Sequence, residues 1–169
     1  EFILGYEESI GYLYGNLVRD KDAVITTMII AEMAAYYKKQ GKNLLEVLEE
    51  VYEEYGYYSE KLISIVLEGV EGQEKIKRIM EEIRHNPIGE IQDLKLVKTI
   101  DYLNDETDAG KSNVLKYYLN DGSWYAIRPS GTEPKIKLYM YSVGETKVES
   151  FRKIDLIEST VRTKMEEVK

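Results

Sequence analysis

The chain has 169 residues, no cysteine, and 23 basic against 31 acidic side chains, for a net charge of −8. That length suits one domain, or one domain and part of another, and such a chain buries enough surface to need no covalent staples. The absence of cysteine excludes a disulfide framework, a thiolate zinc site and a cysteine nucleophile. The acidic balance speaks against a general nucleic-acid binder, because phosphate contacts need clustered Lys and Arg. An anion site, if there is one, must be a local constellation. The longest apolar run, Ala23 to Tyr37, is too short to span a bilayer and carries Glu32, so no membrane partner is expected. The chain opens Glu-Phe-Ile-Leu-Gly, without Met or a basic leader. It reads as a piece whose N-terminus lies upstream.

Phe2 to Leu4 reads as a short buried strand ended by Gly5. The polar turn Gly5-Tyr6-Glu7-Glu8-Ser9-Ile10-Gly11 follows, with glycines free to take positive φ. Asp20 to Asp22 offers an N-cap to a helix over 23–39, stopped by Gly41. That helix is apolar round most of its circumference, which predicts a helix covered on several sides. Asn43 can cap a second helix over 44–55. Leu44, Leu48, Val51 and Tyr55 form its apolar stripe, and Glu46, Glu49, Glu50, Glu53 and Glu54 face water.

After Gly56 the pattern changes. Ser59 to Leu67 is β-rich. Ile76, Ile79, Met80 and Ile83 mark a helix over 73–84, ended by Asn86-Pro87. Leu94, Leu96, Ile100 and Tyr102 recur with period two, interrupted at Lys98. Asn113 to Leu119 and Ser123 to Arg128 read as two strands joined by the hairpin signal Asn120-Asp121-Gly122. Ile136, Leu138 and Met140 alternate with Lys135, Lys137 and Tyr139 in a last strand. Val148, Phe151, Ile154, Ile157, Val161 and Met165 stripe a C-terminal helix. The order β-α-β-β-β-β-α over 57–169 predicts an α+β fold, an antiparallel sheet with helices on one face. Residues 1–56 supply only a strand and two helices, too few for a layered domain, and read as a remnant of one.

Two constellations can carry chemistry. Arg128-Pro129-Ser130-Gly131-Thr132-Glu133-Pro134 lies between two predicted strands. Arg128 offers a bidentate fork for phosphate or carboxylate, and Ser130 and Thr132 offer hydroxyls. Gly131 lets the backbone turn its N–H groups toward one point, while Pro129 and Pro134 stiffen both ends. Lys135 and Lys137 add positive potential. The competing reading is an ordinary hairpin loop. The second constellation is Glu7, Glu8 and Ser9 in the glycine-flanked turn, followed by Arg19-Asp20-Lys21-Asp22. Carboxylates there can accept hydrogen bonds from vicinal sugar hydroxyls, and Lys21 can hold a phosphate. The competing reading is a helix cap with surface charges.

Three features read as decoys. Gly110-Lys111-Ser112 has the tail of a nucleotide-binding loop, but Asp105 stands where the first glycine belongs. Asp105, Glu106 and Asp108 miss the calcium-loop spacing. His85, at a helix end, suits the helix dipole.

Together the two constellations resemble the alpha-D-phosphohexomutases, the phosphoglucomutases and phosphomannomutases. Arg128 to Lys135 resembles the phosphate-binding loop of that family's fourth domain, and Gly5 to Gly11 the sugar-binding loop of its third. Arg19 to Asp22 resembles the segment that follows, and the flavour is that of the bacterial phosphoglucomutase branch. The resemblance implies a cytoplasmic, magnesium-dependent isomerase that interconverts hexose 1-phosphate and 6-phosphate through a bisphosphate. It implies sugar recognition by Glu7 and Ser9. It also implies that Arg128, Ser130, Gly131 and Thr132 hold the non-transferring phosphate and that Lys21 lies near the phosphates. The implied fold is the end of an α/β domain three over 1–56, followed over 57–169 by the TATA-box-binding-protein-like C-terminal domain.

The family's phosphoserine loop and Asp-x-Asp-x-Asp metal loop are absent from this sequence. Arg84-His85-Asn86-Pro87 mimics only the tail of the serine loop. The expectation is therefore a C-terminal part without mutase turnover, with the magnesium site outside it. A non-catalytic phosphosugar-binding module is the alternative. The apolar helix 23–39 is expected to be covered by a neighbouring copy or by the last domain.

Overall fold

The structure is a computed structural model, and it describes residues 2–7 and 10–168. The chain divides into two compact units, 1–54 and 55–169.

The first unit begins with β1 (Leu4–Tyr6) and β2 (Tyr12–Tyr14), paired antiparallel with Gly5 opposite Leu13. The expected buried strand at 2–4 is thus displaced. Gly5 lies inside the strand, and Phe2, Ile3 and Leu4 are exposed. The turn carries its own hydrogen bonds across the hairpin, so pairing is set by the turn and not by apolar content. Helix α1 spans Ala23–Lys39, with Asp22 accepting from the N–H groups of Val24 and Ile25 at 2.9 and 3.1 Å. Helix α2 spans Leu44–Tyr55. Asn43 accepts from Leu45 and Glu46 N–H while Glu46 reaches back to Asn43 N–H at 2.7 Å, a reciprocal cap.

Neither helix buries a residue. Val24 is 83% exposed, and the α2 stripe of Leu48, Val51 and Tyr55 also faces outward. Within residues 1–54 nothing buries α1, where its apolar run predicts a covered helix. Apolar periodicity records what a helix is able to bury, and burial needs a partner surface as well.

The second unit is built on the sheet order β3-β8-β7-β6-β5-β4, antiparallel at every pairing. Its strands are β3 (Tyr57–Val66), β4 (Glu90–Ile91), β5 (Leu94–Asp101), β6 (Leu115–Leu119), β7 (Trp124–Pro129) and β8 (Lys135–Gly144). Helix α3 (Gly69–His85) follows β3, and α4 (Lys147–Glu167) follows β8. The predicted elements are present here within a few residues at their ends. The short β4 has no periodicity to announce it. The interruption at Lys98 is a β-bulge between Leu96 and Lys98. Gly122, at φ +90°, turns the β6–β7 hairpin.

Both helices cover one face of the sheet. Ile76, Ile79, Met80 and Ile83 of α3 and Ile154, Ile157, Val161 and Met165 of α4 share a core with inward-pointing sheet residues, among them Leu115, Ile127, Ile136 and Leu138. Each fully buried aliphatic side chain contributes roughly 1.5–3 kcal/mol over its exposed state. Among the described residues of the second unit, no helix lies on the opposite sheet face.

Candidate functional site

In the first unit, the β1–β2 turn closes with Glu7 N–H donating to Gly11 carbonyl oxygen at 2.8 Å and Ile10 N–H to that of Glu7 at 3.2 Å. Lys21 Nζ reaches Glu7 Oε1 at 3.4 Å. A hollow of about 280 Å³ beside the turn is lined by Tyr6, Glu7, Gly11, Arg19, Asp20 and Lys21, among others. The lysine stem crosses close over Gly11 to reach Glu7: a Cβ there would stand 2.4 Å from Lys21 Cδ and would push the stem aside. The structure therefore joins the Glu7 and Lys21 of the sequence reading into one charged pocket. Ser9 and Glu8 lie outside the described residues.

In the second unit, the loop between β7 and β8 is a tight turn. Ser130 N–H donates to Lys135 carbonyl oxygen at 2.8 Å, and Lys135 N–H to that of Glu133 at 2.7 Å. The Ser130 hydroxyl oxygen accepts from the N–H groups of Thr132 and Glu133 at 3.4 and 3.3 Å. Pro134 carbonyl oxygen accepts from Leu67 N–H at 2.9 Å, tying the loop to the end of β3. On the α3 side, the loop and Gln73, Ile76 and Lys77 line a hollow of about 290 Å³. Glu133 forms an ion pair with Lys135. That bond, aided by the charges of Lys135 and Lys137, holds the Glu133 carboxyl below its usual range.

Arg128 sits at the loop's base on the open face of the sheet. It is exposed and makes no ion pair or hydrogen bond with the described residues. Its cross-strand neighbour is Lys137. Two like charges opposite each other on paired strands cost stability unless an anion lies between them. Sequence reasoning noted the lysine but not this pairing, which only the register reveals.

The open face continues the pattern. Lys116 Nζ stands 3.7 Å from the Trp124 ring centroid and 4.9 Å from that of Tyr118. Lys98 approaches Tyr118 at 5.7 Å and Lys137 approaches Tyr139 at 5.9 Å. An acidic chain thus carries one basic sheet face.

The decoys resolve as structure. Lys111 Nζ donates to the carbonyl oxygens of Asn104 and Asp105, at 3.0 Å each, and Asp105 accepts from Asp101 N–H at 2.7 Å. His85 Nδ1 lies 2.8 Å from Glu81 carbonyl oxygen. Arg84 closes α3 by bonding Asp101 at 2.9 Å and Asn113 at 2.8 Å. Among the described residues no three His, Asp or Glu side chains gather as a metal site, and no helix is long and apolar enough to cross a membrane.

The second unit is thus an antiparallel sheet with two helices on one face and the loop from Arg128 to Pro134 at one strand end. The phosphoglucomutase/phosphomannomutase alpha/beta/alpha domain III model matches residues 1–55. The phosphoglucomutase/phosphomannomutase C-terminal domain model matches residues 89–153. The chain belongs to the phosphoglucomutase/phosphomannomutase family. It is 44% identical over 149 residues to the phosphoglucomutase of Staphylococcus aureus strain MRSA252, and 43% identical over the same length to that of strain N315. Each alignment takes in 82% of this chain and 27% of the relative, so the chain spans about a quarter of the length of these proteins. Among solved structures it is similar to pp63/parafusin, an exocytosis-sensitive phosphoprotein and phosphoglucomutase of Paramecium in its open form. The TM-score is 0.65 at 17% identity, over 94% of this chain and 30% of that one. That likeness shows the shared fold.

Proposed function

We propose that this chain carries the sugar-binding and phosphate-binding loops of a phosphohexomutase, an isomerase that interconverts hexose 1-phosphate and 6-phosphate through a bisphosphate. Residues 1–56 are the end of its domain III and 57–169 its domain IV. Glu7 and Ser9 accept hydrogen bonds from the sugar hydroxyls, with Lys21 beside Glu7 as a phosphate contact. Arg128, Ser130, Gly131 and Thr132 hold the phosphate that is not transferred, and Lys137 is added to them. The observation that carries the reading is the cross-strand Arg128–Lys137 pair at the base of the loop, in which the exposed Arg128 has no ion pair or hydrogen bond among the described residues.

The family's chemistry needs in-line phosphoryl transfer with charge neutralisation by a metal. The described residues do not gather into a metal site, and the family's phosphoserine loop is absent from this sequence, so none of these residues donates a phosphoryl group. Their work is to bind and orient. The protein is placed in the cytoplasm, where hexose phosphates are its substrates. In the 169-residue chain, the exposed apolar face of α1 associates with a second copy.

Glucose 1-phosphate titrated into the chain should shift the amide resonances of Gly131 and Thr132. Arg128→Ala should weaken that binding about tenfold or more, the loss of a charge-assisted hydrogen bond. Unchanged affinity overturns the assignment. Mutase turnover by the purified chain overturns the division of labour.

A further inference from the structure

The loop 130–135 contains groups that mimic the anion it is proposed to bind. An anion loop presents N–H groups and cations that need oxygen acceptors. In this structure the Ser130 hydroxyl oxygen takes two of those N–H groups, from Thr132 and Glu133, through long bonds of 3.4 and 3.3 Å. The Glu133 carboxylate takes the nearest ammonium, that of Lys135. Lys135 is joined to Ser130 by a backbone bond of 2.8 Å. In the alternation of β8 it shares a side with Lys137, the cross-strand neighbour of Arg128. Its charge is therefore at the loop's base but already spent on Glu133.

We propose that groups of the loop itself occupy its anion site. Glu133 is an internal competitor that holds Lys135 until phosphate arrives, and Lys135 then becomes a further phosphate ligand beside Arg128. This rests on the reading of Arg128, Ser130, Gly131 and Thr132 as the phosphate loop. The physical logic is one of exchange. An exposed ion pair contributes little net stability, whereas a phosphate dianion offers more charge and more acceptor oxygens to the same ammonium. The competitor keeps Lys135 compensated, while Arg128 stays open to the anion, and sets a lower affinity than the loop would have without it.

The test uses the 169-residue chain and two probes, inorganic phosphate and glucose 1-phosphate, with affinity read from the Gly131 and Thr132 amide shifts. Glu133→Gln should tighten binding of both probes about two- to fivefold, the reach of an exposed ion pair. Lys135→Met should weaken it about threefold or more. In the double variant the gain from Glu133→Gln should vanish, since the lysine it frees is gone. Melting temperatures should stay near that of the parent chain for all three, because the Glu133 carboxylate is exposed and methionine preserves the packing of the partly buried Lys135 stem. Lys135→Met binding as tightly as the parent, or Glu133→Gln binding no tighter, overturns the proposal while Arg128→Ala still weakens binding. If Arg128→Ala leaves both affinities unchanged, the phosphate-loop reading fails and this proposal falls with it.

Discussion

Two tyrosines stacked 4.9 Å apart in the core make opposite predictions at the residue scale. The Tyr117 hydroxyl donates to Ile83 carbonyl oxygen at 2.9 Å, joining the sheet to α3. The Tyr125 hydroxyl is buried with no hydrogen-bond partner among the described residues. Burial pushes the pKa of both phenols well up, so both stay neutral across ordinary pH. Tyr117→Phe should cost about 1 kcal/mol, because it strands a buried carbonyl. Tyr125→Phe should be neutral or stabilising, because it removes an unmade bond. Denaturant unfolding of the two variants checks this, and equal losses would overturn it. Nothing in the period-two pattern separates these residues. The difference lies in what sits opposite each ring.

At the scale of elements, a charged clip joins the start of α4 to the β6–β7 hairpin. Lys153 Nζ bonds Asp121 at 2.9 Å, Glu149 at 3.0 Å and Val143 carbonyl oxygen at 2.7 Å. Burial raises the Asp121 pKa, but bonds from Lys153 and Ser123 outweigh it and hold the carboxyl below its ordinary 3.8. Burial likewise lowers the Lys153 pKa, and its bonds to Asp121 and Glu149 lift it above 10.5. A carboxyl with a depressed folded pKa stabilises fully above its unfolded value, and that contribution is lost as pH falls through the folded one. The melting temperature should therefore drop as pH falls below about 4, and Asp121→Asn should flatten the drop. The raised lysine gives the opposite limb, with loss only as pH rises beyond the ordinary lysine range. Lys153→Met should cost about 2 kcal/mol near neutrality, by leaving Asp121 without its cation. An unchanged acid limb in Asp121→Asn would show that the clip contributes nothing.

Stability is unevenly shared across the whole molecule. The buried core lies entirely within the second unit, while the described residues of 1–54 contribute none to it. Local opening follows buried apolar contact, so amides of α1 and α2 should exchange with solvent well before those of β7 and β8. Equal protection would refute this. The apolar residues left open on α1, such as Val24 and Met28, should make the chain associate reversibly. Sedimentation should show a mass that rises with concentration, and Met28→Glu should suppress the rise. Monomers at every concentration would overturn the association.

Much of this protein was legible one residue at a time. Asp22 and Asn43 announce their helices because capping is a local hydrogen-bond event. Ile76, Ile79, Met80 and Ile83 announce α3 because burial follows the helical period. The loop from Arg128 to Pro134 stands out because its donors are contiguous, and the motifs it shares with the family fix the kinship. The strand at 2–4 was misplaced, since three residues carry too little periodicity to fix a hairpin register. The chain's sequence by itself thus determined the elements of 57–169, their α+β order and the residues of the loop. Only the tertiary structure decided that Lys137 stands opposite Arg128, that Glu133 holds Lys135, that Lys21 crosses Gly11 to reach Glu7, and that α1 buries nothing. Local hydrogen bonds and periodicity are written in neighbouring residues, whereas pairing, compensation of charge and burial depend on which distant surface the fold brings near.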